Sequence, residues 1–549
     1  MNRIDSKDLL PQIVAGVSEE ASEATDDSIN ESPGGHLQYE GEEEENDTKE
    51  FSCKGQEPPA DQMLPAIQPS SSPAIVPQRF PNNLPGLLEL ILDQSGRAYS
   101  IRRDRGNLYV LPVGSKALNN VIREIALQNG VNLRSADLRD IDAFLQASAE
   151  SANVIRTVWN RVAPANGGVE IDLGDNAHTR VRIASGLVDV ITTGSDTLFH
   201  RTPSGLPMVT PTEVGDITLL KKYLCNLHPV TVILLTAWIA YTISLPKRSS
   251  SKFVHLQITG GQGSGKSSLC TNVLSKLIDP SRVVLRTMPR TDKDLAIATQ
   301  NSHVMFIDNV RGITQAMSDI MCIAATGGAI SSRRLYSDEE EHVINLHGAL
   351  VITTLHPFID QPDLAERFLP IETRPIPEDK RRSDTELAKE LETDLPFIQR
   401  GIFDLMANIF VHLPSIEVEA SERMIDFVRY LAAMEKAQGV PAGVYQREYR
   451  NLLAQGQREA LHENVLAAAV IELVEGLQDD EWTGTPKELL NALNGLISRG
   501  TQRSREWPQN EIALTKRLRA LEAGLKSQGI SLEFGRNHQR FITITHKGG

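Results

Sequence analysis

Residues 260–267 read Gly260-Gly261-Gln262-Gly263-Ser264-Gly265-Lys266-Ser267. A β-rich apolar run, Phe253 to Ile258, precedes them, and Ser268 to Leu274 follows with the apolar spacing of a helix. Strand, glycine-rich turn and helix in that order form a Walker A phosphate loop. The glycines let backbone N–H groups curl around phosphate oxygens, and the helix N-terminus adds the positive end of its dipole. The stretch from Gly260 to Ser268 is therefore expected to bind ATP. Within it, Lys266 is expected to reach the β- and γ-phosphates and Ser267 to ligate Mg²⁺.

A phosphate loop alone does not separate a kinase from a motor. About 40 residues after Lys266, the apolar run Val304-Met305-Phe306-Ile307 ends in Asp308 and Asn309. A hydrophobic strand ending in a carboxylate is the Walker B pattern, which sets Asp308 beside Mg²⁺ at the carboxyl edge of a parallel sheet. A third run, Leu350-Val351-Ile352, ends in Thr353 and Thr354. Thr353 would lie between the two Walker elements and sense the γ-phosphate; the plainer alternative is a strand running into a turn. Pro362-Asp363-Leu364-Ala365-Glu366-Arg367-Phe368 follows. Arg367 opens an apolar segment where ring ATPases put the arginine that reaches a neighbour's γ-phosphate; a surface ion pair is the alternative.

These blocks resemble the phage- and plasmid-borne superfamily 3 helicases, including the poxvirus-type primase-helicase ATPases. The similarity extends through Leu277-Ile278-Asp279-Pro280, Pro289 to Leu295, Met317 to Cys322, Ala325 to Ala329, Arg333 to Asp338 and Asp363 to Arg367. It runs from about residue 170 to the C-terminus. It implies an AAA+-like ATPase core that assembles into a homo-oligomeric ring and moves along DNA. Two departures stand out. The second acidic residue of many ring-ATPase Walker B motifs is Asn309 here, and the sensor, often Asn, is Thr353. The hairpin expected from Ala329 to Leu346 has an acidic tip, Asp338 to Glu341, where the resemblance implies a basic one. Acidic groups there would repel phosphate. Arg333 and Arg334 lie at its base.

The net charge of −15 is unevenly spread. Residues 1–60 carry 16 acidic side chains against four basic ones, so the other 489 residues total only −3. Four scattered cysteines, Cys53, Cys225, Cys270 and Cys322, suit a reducing cytoplasm and argue against zinc or a disulfide framework. Val230 to Leu245 is apolar but only 16 residues long. A membrane span needs about 20, so a buried helix and no membrane role are expected.

The α/β reading divides into five parts. Residues 1–85 form a disordered acidic tail and 86–215 a small α+β domain. The P-loop core occupies 216–375 and a helical domain 376–475. A basic winged helix completes the chain at 476–549. The α+β domain carries helices over Leu118–Leu127 and Leu138–Ala152. Its strands fall near Val169–Leu173, Thr179–Ile183 and Val188–Ile191. It shows no spaced acidic pair or zinc knuckle that would support a primase. In the last part, Thr485, Pro486 and Glu488 form a helix start with a capping box. A helix over Asn510–Gln528 then precedes two short strands. Residues 484–549 hold 11 Lys and Arg against 5 acidic residues. Lys516, Arg517, Arg519, Arg536 and Arg540 suit DNA contacts; a solvated face on a protein-docking module is the alternative.

The expected activity is Mg²⁺-dependent ATP hydrolysis coupled to DNA translocation or unwinding in mobile-element replication. The rival is an ATP-gated DNA-binding or defence switch that assembles without unwinding, favoured by Asn309 and the acidic tip. A small-molecule kinase fits poorly, since no lid or acceptor pocket is recognisable.

Overall fold

The computed structural model describes residues 88–549 except 334–340, 358, 360, 377, 379–381, 420–421, 478–480, 505, 537–539 and 547–549. The acidic tail and the tip of the 328–346 hairpin lie outside the described residues.

A three-stranded antiparallel meander opens the described chain: β1 (Glu89–Leu92), β2 (Ala98–Asp104) and β3 (Asn107–Pro112). Helices α1 (Lys116–Gln128) and α2 (Ser135–Ala152) pack on it through Leu118, Ile122, Leu138, Ile141 and Leu145. The sequence reading anticipated both helices but not the meander. A second antiparallel sheet follows, in the order β4 (Val162–Ala165), β5 (Gly168–Asp172), β6 (Arg180–Ala184), β7 (Leu187–Ile191). Side chains alternate across a strand. Val169 and Ile171 accordingly enter one core, while Glu170 and Asp172 sit opposite Arg182 and Arg180 in register. Arg180 is fully buried, ion-paired with Asp172 and 4.6 Å above the Phe199 ring.

The apolar face of that sheet shares a continuous core with α3 (Pro229–Ile243) and the strands that follow. The boundary expected at 215 is therefore not a break in packing. Helix α3 occupies the apolar run of the sequence, and most of its residues are buried. Among the described residues, no helix is long and apolar enough to cross a membrane.

The central sheet contains β8 (His255–Thr259), β9 (Leu285–Arg286), β10 (Val304–Ile307), β13 (Ala349–Thr353) and β14 (Phe368–Glu372). Its order is β14-β8-β13-β10-β9, and every pairing is parallel. Between β8 and β9 runs α4, built from Lys266–Ser268, a π-helical segment Leu269–Leu274 and Ser275–Ile278. Helices α5 (Asp292–Gln300) and α6 (Gln315–Thr326) flank β10, and a hairpin of β11 (Gly328–Arg333) and β12 (Glu341–Leu346) precedes β13. Both faces of the sheet are apolar, as parallel sheets require. Phe306 and Val351 join the core with α3, whereas Met305, Ile307, Leu350 and Ile352 pack on the α5–α6 side.

Helix α7 (Pro362–Ala365) leads into β14, and four helices follow: α8 (Asp384–His412), α9 (Ile425–Gln438), α10 (Val444–Glu463) and α11 (Val465–Glu475). Helix α8 starts at a capping box of Ser383 and Glu386. The buried Glu435 carboxylate accepts from the N–H groups of Gly443, Tyr445 and Gln446, fixing the start of α10. Helix α11 belongs to the C-terminal core rather than to the helical part, so that unit begins about ten residues before the expected 476. It continues with β15 (Glu481–Gly484), α12 (Pro486–Leu496), α13 (Arg499–Gln502), α14 (Glu511–Ser527), β16 (Ile530–Arg536) and β17 (Arg540–His546). Its sheet order is β15-β17-β16. The Thr485–Glu488 capping box forms, and Leu514, Leu518, Leu521 and Leu525 are buried along α14.

Candidate nucleotide site

Three adjacent parallel strands end at one edge of the central sheet. β8 ends at the glycine-rich loop, β10 just before Asp308 and β13 at Thr353. Because β13 lies between β8 and β10, Thr353 sits between the loop and Asp308. A carboxyl-edge crevice of a parallel sheet is where ligands of such folds bind.

The loop is tightly buttressed. Gly260 has φ 146°, and a Cβ there would fall 2.3 Å from Thr373 Oγ1 and 2.5 Å from the Thr373 carbonyl oxygen. No side chain fits at that position. Gly263 and Gly265 have φ 76° and 82°, the left-handed region that glycine enters freely. Gly265 caps α4 at its N-terminus. Gly261 and Gln262 are exposed at the loop crown, and Ser264 is buried at its base. The Ser268 hydroxyl accepts from Asn272 at 2.9 Å.

Two residues that the sequence reading missed hold Ser264. The Asn226 amide donates to the Ser264 carbonyl at 2.7 Å. The Thr373 hydroxyl donates to the Thr259 carbonyl at 2.9 Å and lies 2.7 Å from the Ser264 hydroxyl, which therefore donates to it. Asn226 and Thr373 lie 38 and 109 positions from Ser264, beyond any local pattern.

The Lys266 ammonium donates to the carbonyls of Gly260 and Gly261 at 2.6 and 2.8 Å. Burial lowers its pKa from the ordinary lysine value, and the Asp308 carboxylate opposes that shift. Asp308 is the meeting point. Its Oδ1 accepts from Ser267 Oγ at 3.2 Å and from Thr353 Oγ1. The Thr353 hydroxyl in turn accepts from the Asn309 N–H at 2.9 Å. Asn309 has φ 54°, a conformation that asparagine tolerates better than most residues. A hydroxyl and a carboxylate converging from two elements suit Mg²⁺, which takes one or two protein oxygens with substrate phosphates and water. Among the described residues, no group of three or more His, Cys, Asp or Glu gathers as an all-protein metal cage.

Arg367 departs from the expectation. It is only 4% exposed, and its guanidinium is held by the Asp363 carbonyl and, at 2.9 Å, by the Asp363 carboxylate. Arg423 shares that carboxylate at 2.9 Å. An arginine that reaches a neighbouring chain needs its head group at the surface. This geometry gives Arg367 an intrachain role instead. The sequence signal was only positional; the ion pair of the surface alternative is present with Asp363, but with the arginine buried rather than at the surface.

Asp279, part of the Leu277–Pro280 block, is also engaged. It is 3.1 Å from Arg161 just before β4, and its other oxygen accepts from the His303 N–H at 2.6 Å ahead of β10. This buried pair ties the second antiparallel sheet to the end of α4 and to the start of the Asp308 strand.

Residues 219–455 match a family described as actinomycete integrative conjugative element replication protein. Residues 466–549 match the C-terminal domain of the same family. The two matches follow one another along the chain, with residues 456–465 between them. The boundary between the two matches falls at the α10–α11 junction, where the packing also changes from one core to the next. The chain region before residue 219 lies outside both matches. No match was found among curated proteins. An apo structure of the NrS-1 C-terminal region is similar over 84% of this chain and 96% of its own, at 13% identity and a TM-score of 0.35. A JCV helicase bound to a small molecule is similar over 42% of this chain and 67% of its own, at 17% identity and a TM-score of 0.19.

Proposed function

We propose that the chain is a Mg²⁺-dependent ATPase that acts on DNA during replication of an integrative mobile element. The observation that carries this reading is the Asp308 carboxylate, approached by Ser267 from the phosphate loop and by Thr353 from the strand between. In this scheme the N–H groups of Gly261 to Ser267 bind the phosphates. Lys266 exchanges its loop carbonyls for the β- and γ-phosphate oxygens, and Ser267 and Asp308 hold Mg²⁺, which neutralises developing charge. Thr353 orients Asp308 through its hydroxyl. Asn309 replaces the acidic base of related sites, so water is oriented by hydrogen bonding rather than deprotonated by a second carboxylate.

The order helix, strand, three helices and hairpin from α11 to β17, with strand order β15-β17-β16, supports a winged-helix reading of the C-terminal unit. Lys516 and Arg519 are exposed on α14, and Arg536 and Arg540 pair in register beside the hairpin turn. That arrangement suits phosphate contacts around a groove. Assembly into an AAA+-like ring is part of the proposal and rests on the sequence resemblance alone. A second reading, an ATP-gated DNA switch that does not unwind, is favoured by Asn309.

An ATPase assay with and without single- and double-stranded DNA, run beside a measurement of particle mass, tests the proposal. DNA-stimulated turnover in a multi-subunit species is expected. Nucleotide-dependent DNA retention without turnover would select the switch, and absence of ATP binding would remove both readings.

A further inference from the structure

We infer that the cleft between residues 156–159, residues 194–198 and the second antiparallel sheet binds single-stranded DNA, with Trp159 stacking on an unpaired base and Arg156 and Arg182 holding the flanking phosphates. The cleft has a volume of about 490 Å³ and is lined by Arg156, Trp159, Arg182, Asp196 and neighbours. That volume suits one nucleotide unit rather than a duplex. It lies in the part of the chain that neither family match covers.

Trp159 is half-buried, and its backbone is pinned on both sides. Its N–H donates to Leu198 at 2.9 Å, and its carbonyl accepts from His200 at 2.8 Å. The indole is thus a rigid platform, of the kind that binds any base by stacking. Arg156 makes no ion pair among the described residues. Arg182 keeps 43% of its side chain exposed while contacting Glu170 at 3.1 Å. Arg180, Arg182 and Arg201 together face only Glu170 and Asp172 in this cluster, so one guanidinium charge is left unbalanced.

The rim adds further guanidinium groups. Arg103 near the end of β2 and Arg105 in the turn to β3 are both exposed. That turn abuts the cleft: a Cβ on Gly106 would sit 3.1 Å from the Gly194 nitrogen. Among the lining residues the one carboxylate is Asp196, 3.9 Å from Arg103, which offsets its repulsion of phosphate; Asp104 follows Arg103 on β2 and Asp189 pairs in register with Arg182. Positive charge therefore continues beyond the cleft and provides a second phosphate position, which favours a strand over a mononucleotide. A duplex cannot present a base to the indole, because its bases are stacked and paired. The segment is also anchored to the central sheet. The Asn160 amide donates to Gln300 at the end of α5 at 3.2 Å, and Arg161 pairs with Asp279.

This inference is independent of the ATPase reading, because its test contains no nucleotide triphosphate. Fluorescence anisotropy would follow a labelled oligothymidylate of about twelve residues, and a duplex of equal length, on the full chain. Trp159→Ala should weaken strand binding roughly tenfold, the scale of one base–aromatic stack. Arg156→Ala, which disturbs no ion pair, should weaken it too and reduce the slope against log salt by about 0.7. Duplex affinity should be unchanged in both. Trp159→Phe should bind within about threefold of the parent while losing the strand-induced quench of tryptophan emission. Trp238 and Trp507 are buried, and the half-buried Trp482 of the C-terminal unit is replaced by phenylalanine in parent and variants alike, so that the emission reports on Trp159. Parent-like strand affinity in Arg156→Ala and Trp159→Ala would overturn the inference, as would an equal loss for duplex. Displacement of the strand by thymidine monophosphate at matched nucleotide concentration would replace the strand by a mononucleotide.

Discussion

Replacing Thr353 by valine removes one oxygen from the centre of the site and leaves the volume almost unchanged. In the native arrangement that hydroxyl donates to Asp308 and accepts from the Asn309 N–H, and the residue is 1% exposed. The variant loses a hydrogen bond to a charged acceptor and leaves the exposed Asn309 N–H to water. A bond of the first kind contributes about 1.5–3 kcal/mol. If about 2 kcal/mol of this appears in the positioning of Asp308, kcat/KM for MgATP should fall roughly 30-fold. The loss should be partly recovered at raised Mg²⁺, since the carboxylate is displaced rather than absent. Thr353→Ser keeps the hydroxyl and should restore most of the rate. Steady-state ATP hydrolysis at several Mg²⁺ concentrations checks this. A Thr353→Val enzyme with the parent rate at every Mg²⁺ level would refute the reasoning, as would a serine variant no better than the valine one.

Gly260→Ala should abolish nucleotide binding, because its Cβ would meet the Thr373 backbone at 2.5 Å and displace the loop; filter binding of ATP reads this. Asp308→Asn should lose Mg²⁺-dependent turnover, whereas Asn309→Glu should accelerate it by supplying a second carboxylate, both measured as phosphate release. Arg367→Ala should destabilise the fold, measured as a lower urea midpoint, and mixing it with parent chains should reduce activity only in proportion to its fraction. Burial holds His255, His303 and His347 down to about 4. The folded state thus binds fewer protons than the unfolded state between about pH 4 and 6.5. Stability is complete above that window and falls as pH drops through it, by about 1.4 kcal/mol per histidine at pH 5.5. A urea midpoint unchanged between pH 7.5 and 5.5 would contradict this; both pH values are chosen around the window of about 4–6.5.

The phosphate loop and the strands ending at Asp308 and Thr353 were legible because their information is local. A glycine pattern, a short apolar run and a terminal polar residue each lie within a few positions. Helix α14 was legible for the same reason, through its leucine spacing; that Asn510 caps the helix rather than belonging to it came from the structure. What escaped the sequence is long-range. Asn226 and Thr373 look like ordinary polar residues until the fold brings them to Ser264. Arg161 finds Asp279 across 118 positions. The packing shared across residue 215 was not legible because the apolar alternation of β5 and β6 reads the same whether the opposing core is the sheet's own or a neighbour's. Strand β15 is four residues long, too short to show alternation. Arg367 shows the opposite error: its position in the sequence suggested a role that its burial does not support.

Phosphate release from ATP by the full chain and by Lys266→Ala, each with and without DNA, tests the central claim most directly. Lys266 makes hydrogen bonds only to the loop and the Ser264 hydroxyl among the described residues, so its removal should leave the fold unchanged by circular dichroism. Turnover in the parent, stimulated by DNA and abolished in Lys266→Ala, is the predicted result. Equal hydrolysis by parent and variant would contradict the account.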